Sequence, residues 1–247
     1  MMNQQMTIEK MKSMRLRGMA QIHYSNLENN LYQDYTLDQY TALLVDQEWE
    51  SRQNRKIENL LKRATFRATA SIENIDFTAN RNLDKNTFNR LASLDFLAKN
   101  ENLIITGPTG TGKSYIAQAI GRQACLCINK TKYFTTTKLM DEISLAKLQG
   151  TYHQFIKNIQ NTKLLIIDDF GLTSFDQKTR QAFMDIVDYK YDQSSMIITS
   201  QIPVSNWHQL IGEGTIADAI LDRLVHSSHR IKLNGESLRK KRKLTNI

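Results

Sequence analysis

Apolar residues recur with helical spacing in the first part of this 247-residue chain. The first 20 residues predict a weakly amphipathic basic helix that is interrupted near Gly18. A longer stretch from Thr36 toward Phe66 repeats apolar residues every three or four positions, and its second half carries many basic side chains. The two stretches predict a small helical N-terminal domain, with apolar residues packed inward and a basic face turned outward.

Short apolar runs alternate with helical patterns from residue 86 onward, which predicts an α/β fold with a parallel five-stranded sheet flanked by helices. The run Lys163–Asp168 is almost continuously apolar, as is typical of a central parallel strand buried on both faces. The predicted strands are Asn102–Thr106, Lys132–Thr135, Lys163–Asp168, Ser195–Thr199 and Arg230–Leu233. The predicted helices are Asn86–Ala98, Tyr115–Ala124, Thr137–Leu148, Thr179–Asp192 and Thr215–Val225.

The stretch from Gly107 to Ser114, Gly-Pro-Thr-Gly-Thr-Gly-Lys-Ser, matches the phosphate-binding loop pattern. It lies between a predicted strand and a predicted helix, where glycines let backbone N–H groups surround a phosphate and the helix dipole adds positive potential. Lys113 would reach the β- and γ-phosphates of ATP, and the Ser114 hydroxyl would bind Mg²⁺. The predicted nucleotide-binding residues are Gly107, Pro108, Thr109, Gly110, Thr111, Gly112, Lys113, Ser114 and Tyr115.

Polar side chains follow two of the predicted strands at the same edge of the sheet. Asp168 ends a hydrophobic strand and fits an Mg²⁺ ligand, while Asp169 would orient the attacking water. The alternative is a strand that ends in a turn-forming Asp-Asp pair. After the next strand, Gln201, or Ser200 beside it, would hydrogen-bond the γ-phosphate or the water, or else belongs to a polar loop with no ligand.

An irregular polar stretch joins the helical and α/β parts. Its apolar residues Ile72, Ile75 and Phe77 are expected to pack on the core of the protein; the alternative is contact with an adenine base. The predicted organisation is a helical N-terminal domain (1–67), a linker (68–85), an ATPase core (86–234) and a basic tail (235–247).

Positive charge is concentrated in two segments. The formal net charge is +8, and residues 52–67 contain six Lys and Arg against one Glu, while residues 230–243 contain seven against one. Two basic segments on an otherwise mildly acidic chain favour a polyanion such as DNA as a partner. Solvated basic faces are the alternative for either segment alone. The candidate DNA-binding residues are Arg52, Arg55, Lys56, Arg239, Lys240, Lys241, Arg242 and Lys243.

Other features narrow the class of protein. Charged residues interrupt every apolar run before it could span a bilayer, and the polar N-terminus lacks the core of a signal peptide, so a cytoplasmic location is expected. Cys125 and Cys127 would face different sides of one helix, which favours a core and a surface cysteine over a disulfide or a metal site. No metal other than Mg²⁺ is predicted.

Five further stretches distinguish this chain from other proteins that have a phosphate-binding loop. They are Met14–Ala20 (MRLRGMA), the linker Ala70–Lys85, Thr199–Trp207 (TSQIPVSNW), Ala217–His229 (ADAILDRLVHSSH) and Gly235–Arg242 (GESLRKKR). Together with the phosphate loop and Leu164–Gly171, they resemble the IstB-like ATP-binding proteins. These are helper ATPases encoded beside the transposase in certain bacterial insertion sequences, related to the DnaC helicase loader and DnaA within the AAA+ class. The resemblance spans nearly the whole chain.

The resemblance implies roles for single residues. Asp168 matches the Mg²⁺ aspartate, Gln201 falls at the first sensor position, and Arg223 matches the arginine finger. Asp169 stands where many AAA+ proteins have Glu, and its shorter side chain puts fast hydrolysis in doubt. The C-terminal helical lid of larger AAA+ proteins would be missing, so Arg239 would replace the lid's second sensor or contact DNA. Without the resemblance, Arg223 would be a surface residue paired with a neighbouring aspartate of its own helix.

The function that the resemblance implies is an ATP-dependent ATPase that binds double-stranded DNA without sequence preference. It would assemble on DNA as a homo-oligomer and recruit or activate the transposase of the same element. The alternative is a loader that holds a replicative helicase, for which the basic tail would have less use. A third hypothesis, a small-molecule phosphotransferase, has less support, because the sequence shows no evident substrate lid or acceptor pocket.

Overall fold

The computed structural model describes residues 2–172, 175–212 and 214–238, and these divide into two compact units, residues 1–59 and 60–247. The first unit contains helices α1 (Met2–Ser13) and α2 (Arg17–Glu28), a 3₁₀ turn at Leu31–Asp34 and the start of α3 (Leu37–Ala64). The long helix predicted from Thr36 toward Phe66 is therefore confirmed as α3. Residues 239–247 of the basic tail lie outside the described residues.

The predicted interruption near Gly18 is wrong in position. The chain breaks at Arg15, which has a φ of 64°, while Gly18 lies inside α2. A Cβ at Gly18 would lie 2.5 Å from the Gln47 carbonyl oxygen and 2.8 Å from the Glu48 Cα. The glycine therefore allows α2 and α3 to pack closely, and the Glu48 carboxylate accepts the backbone N–H of Gly18 at 2.7 Å and caps the start of α2.

The second unit is built on a five-stranded parallel sheet with the strand order β2-β3-β4-β1-β5. This confirms the predicted fold class. The strands are β1 (Asn102–Thr106), β2 (Thr131–Thr135), β3 (Leu164–Phe170), β4 (Ser195–Ser200) and β5 (Ser228–Lys232). The helices are α4 (Lys85–Ala92), α5 (Asp95–Ala98), α6 (Lys113–Leu126), α7 (Thr136–Leu148), α8 (Tyr152–Gln160), α9 (Gln177–Lys190), α10 (Trp207–Ile211) and α11 (Gly214–Val225), with a 3₁₀ turn at Val204–Asn206.

Three features of this unit differ from the sequence prediction. The helix predicted over Asn86–Ala98 is two helices, because Leu94 adopts a φ of 68° between α4 and α5. Helices α8 and α10 were not predicted. Strand β3 continues through both aspartates to Phe170, so the alternative of a strand that ends in an Asp-Asp turn is wrong.

The core lies on both faces of the sheet. Alternate residues of β3 enter different apolar clusters: Leu165 and Ile167 pack on the face covered by α9 and α11, and Leu164 and Ile166 on the face covered by α6. All four side chains are fully buried. The continuous apolar run is explained by this arrangement, since a strand covered on both faces has no polar side.

The structure also bears on the predictions for the two cysteines and for membrane-spanning segments. Cys125 is buried and Cys127 is exposed, and both thiols are free, as predicted. Among the residues described, no helix has both the length and the apolar character needed to cross a membrane.

After β5, residues 233–238 return to the Gly107–Ser114 loop: the backbone N–H of Leu233 donates to the Thr106 carbonyl at 2.8 Å, and that of Leu238 to the Gly110 carbonyl at 2.9 Å. We call this segment the C-terminal strap.

Candidate functional site

The loop between β1 and α6 folds back on itself. Lys113, the first residue of α6, donates from Nζ to the Pro108 carbonyl oxygen at 2.9 Å, and the Thr111 hydroxyl donates to the same oxygen at 2.9 Å. Gly107, with a φ of 149°, packs against Leu233 of the strap so closely that a Cβ would lie 3.0 Å from the leucine Cβ. The predicted strand–loop–helix arrangement is confirmed, so the first turn of α6 offers its N–H groups and dipole to an anion.

A cavity of about 500 Å³ opens beside this loop, within the range of roughly 300–1,000 Å³ that is usual for ligand sites. Its lining includes most of the residues predicted from sequence: Thr109, Gly110, Gly112, Lys113, Ser114, Tyr115, Asp168, Asp169 and Gln201. Gly107, Pro108 and Thr111 shape the loop instead. Ile75, for which the sequence left contact with an adenine base as an alternative, also lines the cavity. Lining residues that the sequence did not single out for this site are Arg67, Ala68, Asn74, Asp76, Arg81, Gln118, Tyr133 and Leu238.

Asp168 is a buried carboxylate that gathers hydroxyl groups from three other segments. Its Oδ1 accepts a hydrogen bond from Ser114 Oγ at 2.8 Å and another from the Thr199 hydroxyl, and its Oδ2 accepts one from the Tyr133 hydroxyl at 2.7 Å. Burial and the bond to Asp168 raise the pKa of Tyr133, so its hydroxyl stays protonated and donates.

The pair formed by Ser114 and Asp168 has the chemistry of a magnesium site. A hydroxyl and a carboxylate at hydrogen-bond distance, beside a phosphate-binding loop, are hard oxygen ligands of the kind that Mg²⁺ prefers. The residues present therefore fit the metal that the sequence predicted. Tyr133 and Thr199 are additional members of this cluster, and they hold the carboxylate in place.

A β-bulge brings the second aspartate into the same cavity. The pairing of β3 with β4 is regular up to Ile167 and shifts before Phe170, and Asp169 between them has a φ of 58°. In a regular strand, consecutive side chains point to opposite faces, whereas a bulge changes the direction of one of them. Both Asp168 and Asp169 consequently line the cavity, and the Asp169 N–H donates to the Thr199 hydroxyl at 3.2 Å.

Of the two polar residues after β4, Gln201 is the one that reaches the cavity. Ser200 is fully buried; its hydroxyl donates to the Phe170 carbonyl at 2.7 Å and accepts the Ile202 N–H at 3.0 Å. Because β4 lies between β1 and β3, Gln201 follows a strand that separates the phosphate loop from the two aspartates. This position is suited to contact with a ligand held by both.

The segment before α4 forms one wall of the cavity. Gln118 of α6 accepts the backbone N–H of Arg67 at 2.8 Å and that of Ala68 at 2.9 Å, which fixes the start of the segment. Ile75 is buried, and Ile72 and Phe77 pack around the same apolar cluster. The expected packing of these residues on the core is confirmed. Ile75 also lines the cavity, so contact with an adenine base stays a prediction.

Arg223 lies elsewhere, on α11. Its Nε is 2.6 Å from Oδ1 of Asp188 on α9, its Nη1 donates to the Ala219 carbonyl at 2.9 Å, and its guanidinium lies 5.9 Å from the ring centre of Tyr191. The ion pair is thus formed with the neighbouring helix rather than with an aspartate of α11. About a third of the Arg223 side chain is exposed, at 31%.

The candidate DNA-binding residues of the first unit lie on α3. Arg52 Nε is 2.7 Å from Oε1 of Glu48, and the arginine side chain is 57% exposed. Burial opposes ionisation of Glu48, but the hydrogen bonds from Arg52 and from the start of α2 hold its pKa below the usual value. Arg55 and Lys56 are exposed. The candidates from Arg239 to Lys243 lie outside the described residues.

Solved structures with the same fold include those of DnaI and of the replication initiator DnaA. The structure of DnaI is 20% identical, with a TM-score of 0.54 over 67% of this chain and 91% of that chain. The structure of AMPPCP-bound DnaA from Aquifex aeolicus is 20% identical, with a TM-score of 0.58 over 74% of this chain and 56% of that chain. At this identity, the likeness shows the fold alone, which is that of a P-loop AAA+ domain.

Sequence relatives cover nearly the full chain. An insertion sequence ATP-binding protein of Sinorhizobium fredii, y4pL, is 38% identical over 95% of this chain and 96% of its own length. The IS21 insertion sequence ATP-binding protein of Pseudomonas aeruginosa is 29% identical over 89% of this chain and 83% of its own. The family model described as IstB-like ATP binding protein matches residues 9–246. The chain therefore belongs to the IstB-like ATP-binding family.

Proposed function

We propose that this protein binds and hydrolyses ATP with Mg²⁺ and uses the nucleotide to control its assembly on DNA. The observation that carries the proposal is the convergence of Lys113, Ser114, Asp168, Asp169 and Gln201 on one cavity. They lie at or just beyond the carboxyl ends of three adjacent parallel strands, the edge where ligands of α/β sheets bind.

Each of these residues has a role suited to phosphoryl transfer to water. Lys113 and the N–H groups of the loop would bind the β- and γ-phosphates, and Ser114 and Asp168 would hold Mg²⁺, which neutralises charge on the phosphate oxygens when bound. Asp169 would accept a proton from the attacking water and orient it. Gln201 would hydrogen-bond the γ-phosphate or that water. The shorter reach of Asp169 relative to Glu favours slow turnover, as suits a switch.

The proposed partners are double-stranded DNA, further copies of the chain and the transposase of the same element, in the cytoplasm. Family membership and the names of the insertion sequence relatives support this assignment. Arg55, Lys56 and the tail from Arg239 supply positive charge for DNA without any base-reading motif, which favours binding without sequence preference. The helicase-loader alternative has support from likeness of fold alone.

The nucleotide part is tested with Lys113→Ala. We expect this variant to lose measurable ATP binding in a fluorescent-nucleotide titration, because the loop loses the cation that balances the phosphates. Lys178→Ala, which removes an exposed lysine at the start of α9, is the matched control and should bind ATP like the wild type. Undiminished ATP affinity in Lys113→Ala would show that the cavity is not the nucleotide site.

The DNA part is tested on the same proteins by fluorescence anisotropy with DNA duplexes of unrelated sequence. DNA binding by the wild type should require ATP, and its affinity should be similar for all sequences. The logarithm of the association constant for DNA should fall by about 0.9 per decade of salt concentration for each phosphate neutralised. Removal of residues 239–247 should flatten that slope on every duplex alike. A salt slope unchanged by the truncation would exclude the tail as a DNA contact.

A further inference from the structure

Arg81 is a buried charge on the wall of the cavity. It lies in the irregular stretch before α4, only 4% of the residue is exposed, and it nevertheless lines the cavity beside the phosphate loop. A guanidinium removed from water is costly unless an anion or a full set of acceptors compensates it. The environment of Arg81 therefore has to explain why an arginine is present there.

The partners of Arg81 in the protein are neutral. Its Nη1 donates to the Thr111 carbonyl at 3.0 Å and its Nη2 to the Asp76 carbonyl at 2.7 Å, while its Nε is buried without a hydrogen-bond partner. Among the described residues, no carboxylate lies within 4.0 Å of the guanidinium. Burial accordingly lowers the pKa of Arg81, although the charge of the Asp76 carboxylate opposes the shift.

The guanidinium is held against the phosphate loop itself. A Cβ at Gly112, the residue before Lys113, would lie 2.5 Å from Arg81 Nη1, so the arginine occupies space that only a glycine leaves open. The Arg81 carbonyl also accepts the backbone N–H of Asn234, in the C-terminal strap, at 3.0 Å. The side chain and the backbone of Arg81 are thus both fixed, and the charge sits over the residues that begin α6.

We propose that Arg81 is a second cation for the phosphate chain of the bound nucleotide, supplied by the segment before the core and acting beside Lys113. This proposal rests on the nucleotide site proposed above. A guanidinium has five N–H donors, and the two carbonyl bonds use one on each terminal nitrogen, so each keeps a second hydrogen for a phosphate oxygen. The phosphate supplies the negative charge that Arg81 lacks in the protein.

The test compares the affinities of AMP, ADP and a non-hydrolysable ATP analogue for the wild type and Arg81→Met, which has similar length and no charge. We expect the loss of affinity to grow along this series and to reach tenfold or more for the ATP analogue. Arg81→Lys should recover part of it. Arg90→Met, which removes an exposed arginine on α4, is the matched control with the same net charge and should change none of the three affinities.

Equal losses for the three nucleotides, or no loss, would overturn the proposal and leave Arg81 as a structural link between loop and strap. If Arg81→Met does not fold in a thermal unfolding control, Arg81→Gln replaces it, since glutamine can still donate to the Thr111 carbonyl, and the same two outcomes decide. Lys113→Ala separates the two proposals. If Lys113→Ala loses ATP binding while Arg81→Met does not, the cavity is still the nucleotide site and only the proposed role of Arg81 is wrong.

Discussion

Lys190, the last residue of α9, is a buried lysine that does not belong to the candidate nucleotide site. The residue is 1% exposed, and its Nζ donates to the carbonyl oxygen of Thr162 at 2.7 Å and to the hydroxyl of the same threonine at 2.6 Å. Burial, with repulsion from Lys130 and Lys163, lowers the pKa of Lys190 to about 7. The charged form is therefore disfavoured in the folded protein.

This lysine should make stability depend on pH. In the unfolded chain its pKa returns to about 10.5, so between about pH 7 and pH 10 the unfolded state binds more protons than the folded state. The contribution of Lys190 to the free energy of unfolding should rise through this interval, by up to about 1.4 kcal/mol per pH unit, and should be constant below it. Lys190→Met should remove this rise when denaturant unfolding is measured at pH 7, 8 and 9.

Lys178→Met is the control for this measurement, because it removes an exposed lysine from the same helix. Its free energy of unfolding should follow the wild-type pH dependence. If the curves of Lys190→Met and the wild type run parallel, Lys190 stays charged in the folded protein and its burial has another compensation.

Single residues of the site differ in how well the sequence revealed them. Lys113, Ser114 and Asp168 could be predicted because their chemistry follows from local spacing beside a strand or a helix start. Tyr133 and Thr199 could not, because each lies on its own strand and meets Asp168 only when the sheet forms. Arg81 was hidden for the same reason, since its contact with Thr111 spans 30 positions of sequence.

At the scale of elements, the C-terminal strap covers the phosphate loop. Gly110 has a φ of 82°, and a Cβ on it would lie within 2.6 Å of the Ser237 Cβ. The Leu238 N–H donates to the Gly110 carbonyl, and the Leu238 side chain lines the cavity. The last described residue of the strap therefore contacts the loop directly and forms part of the cavity wall.

Gly110→Ala should displace the strap and lower ATP affinity. Part of the effect is left-handed backbone strain, about 1–2 kcal/mol for a residue with a side chain, and part is the clash with Ser237. The double variant Gly110→Ala with Ser237→Gly should recover the second part, measured as ATP affinity by titration. Gly150→Ala is the matched control, because Gly150 has a φ of 68° and nothing within 4 Å of its Cβ position.

Equal ATP affinity in the single and the double variant would show that contact with the strap does not shape the loop. Loss of ATP affinity in Gly150→Ala would show that global destabilisation, rather than the loop, explains the effect of Gly110→Ala. The comparison thus separates local conformation from packing.

Strands and helices were predictable to different degrees. All five strands were predicted, because an apolar run between turn residues is a local signal. The bulge in β3 was not, since it depends on the pairing with β4. The sequence also did not predict the break between α4 and α5 at Leu94 or the short helix α10. In both places, tertiary packing of buried residues such as Phe96 and Trp207 overrides a weak local pattern.

At the scale of the whole molecule, Arg223 raises the question of assembly. The resemblance matches it to the arginine finger, and within one chain it pairs with Asp188 on the neighbouring helix. Its helix α11 directly precedes β5, an edge strand of the sheet. A partly exposed arginine next to an edge strand is suited to enter the site of an adjacent copy, and the pair with Asp188 would hold it ready in the free chain.

We expect Arg223→Ala to bind ATP with wild-type affinity but to hydrolyse it slowly and to assemble poorly. An arginine supplied in trans can accelerate phosphoryl transfer by roughly a thousandfold or more. Asp188→Asn is the control, since it removes the ion pair and leaves the guanidinium in place. If the pair mattered only for folding, both variants would show the same defect in ATP turnover and in thermal unfolding.

Mixing variants decides whether Arg223 acts between subunits. Lys113→Ala lacks a working phosphate loop but keeps Arg223, and Arg223→Ala has the opposite defect, so a mixed assembly contains interfaces at which an intact loop meets an intact arginine. ATP hydrolysis by the mixture should exceed that of either parent, because ATP binding at such an interface joins two subunits and stabilises their association. If light scattering shows that the two variants co-assemble while hydrolysis stays at the level of the parents, Arg223 does not act in trans, and its pair with Asp188 is its whole role.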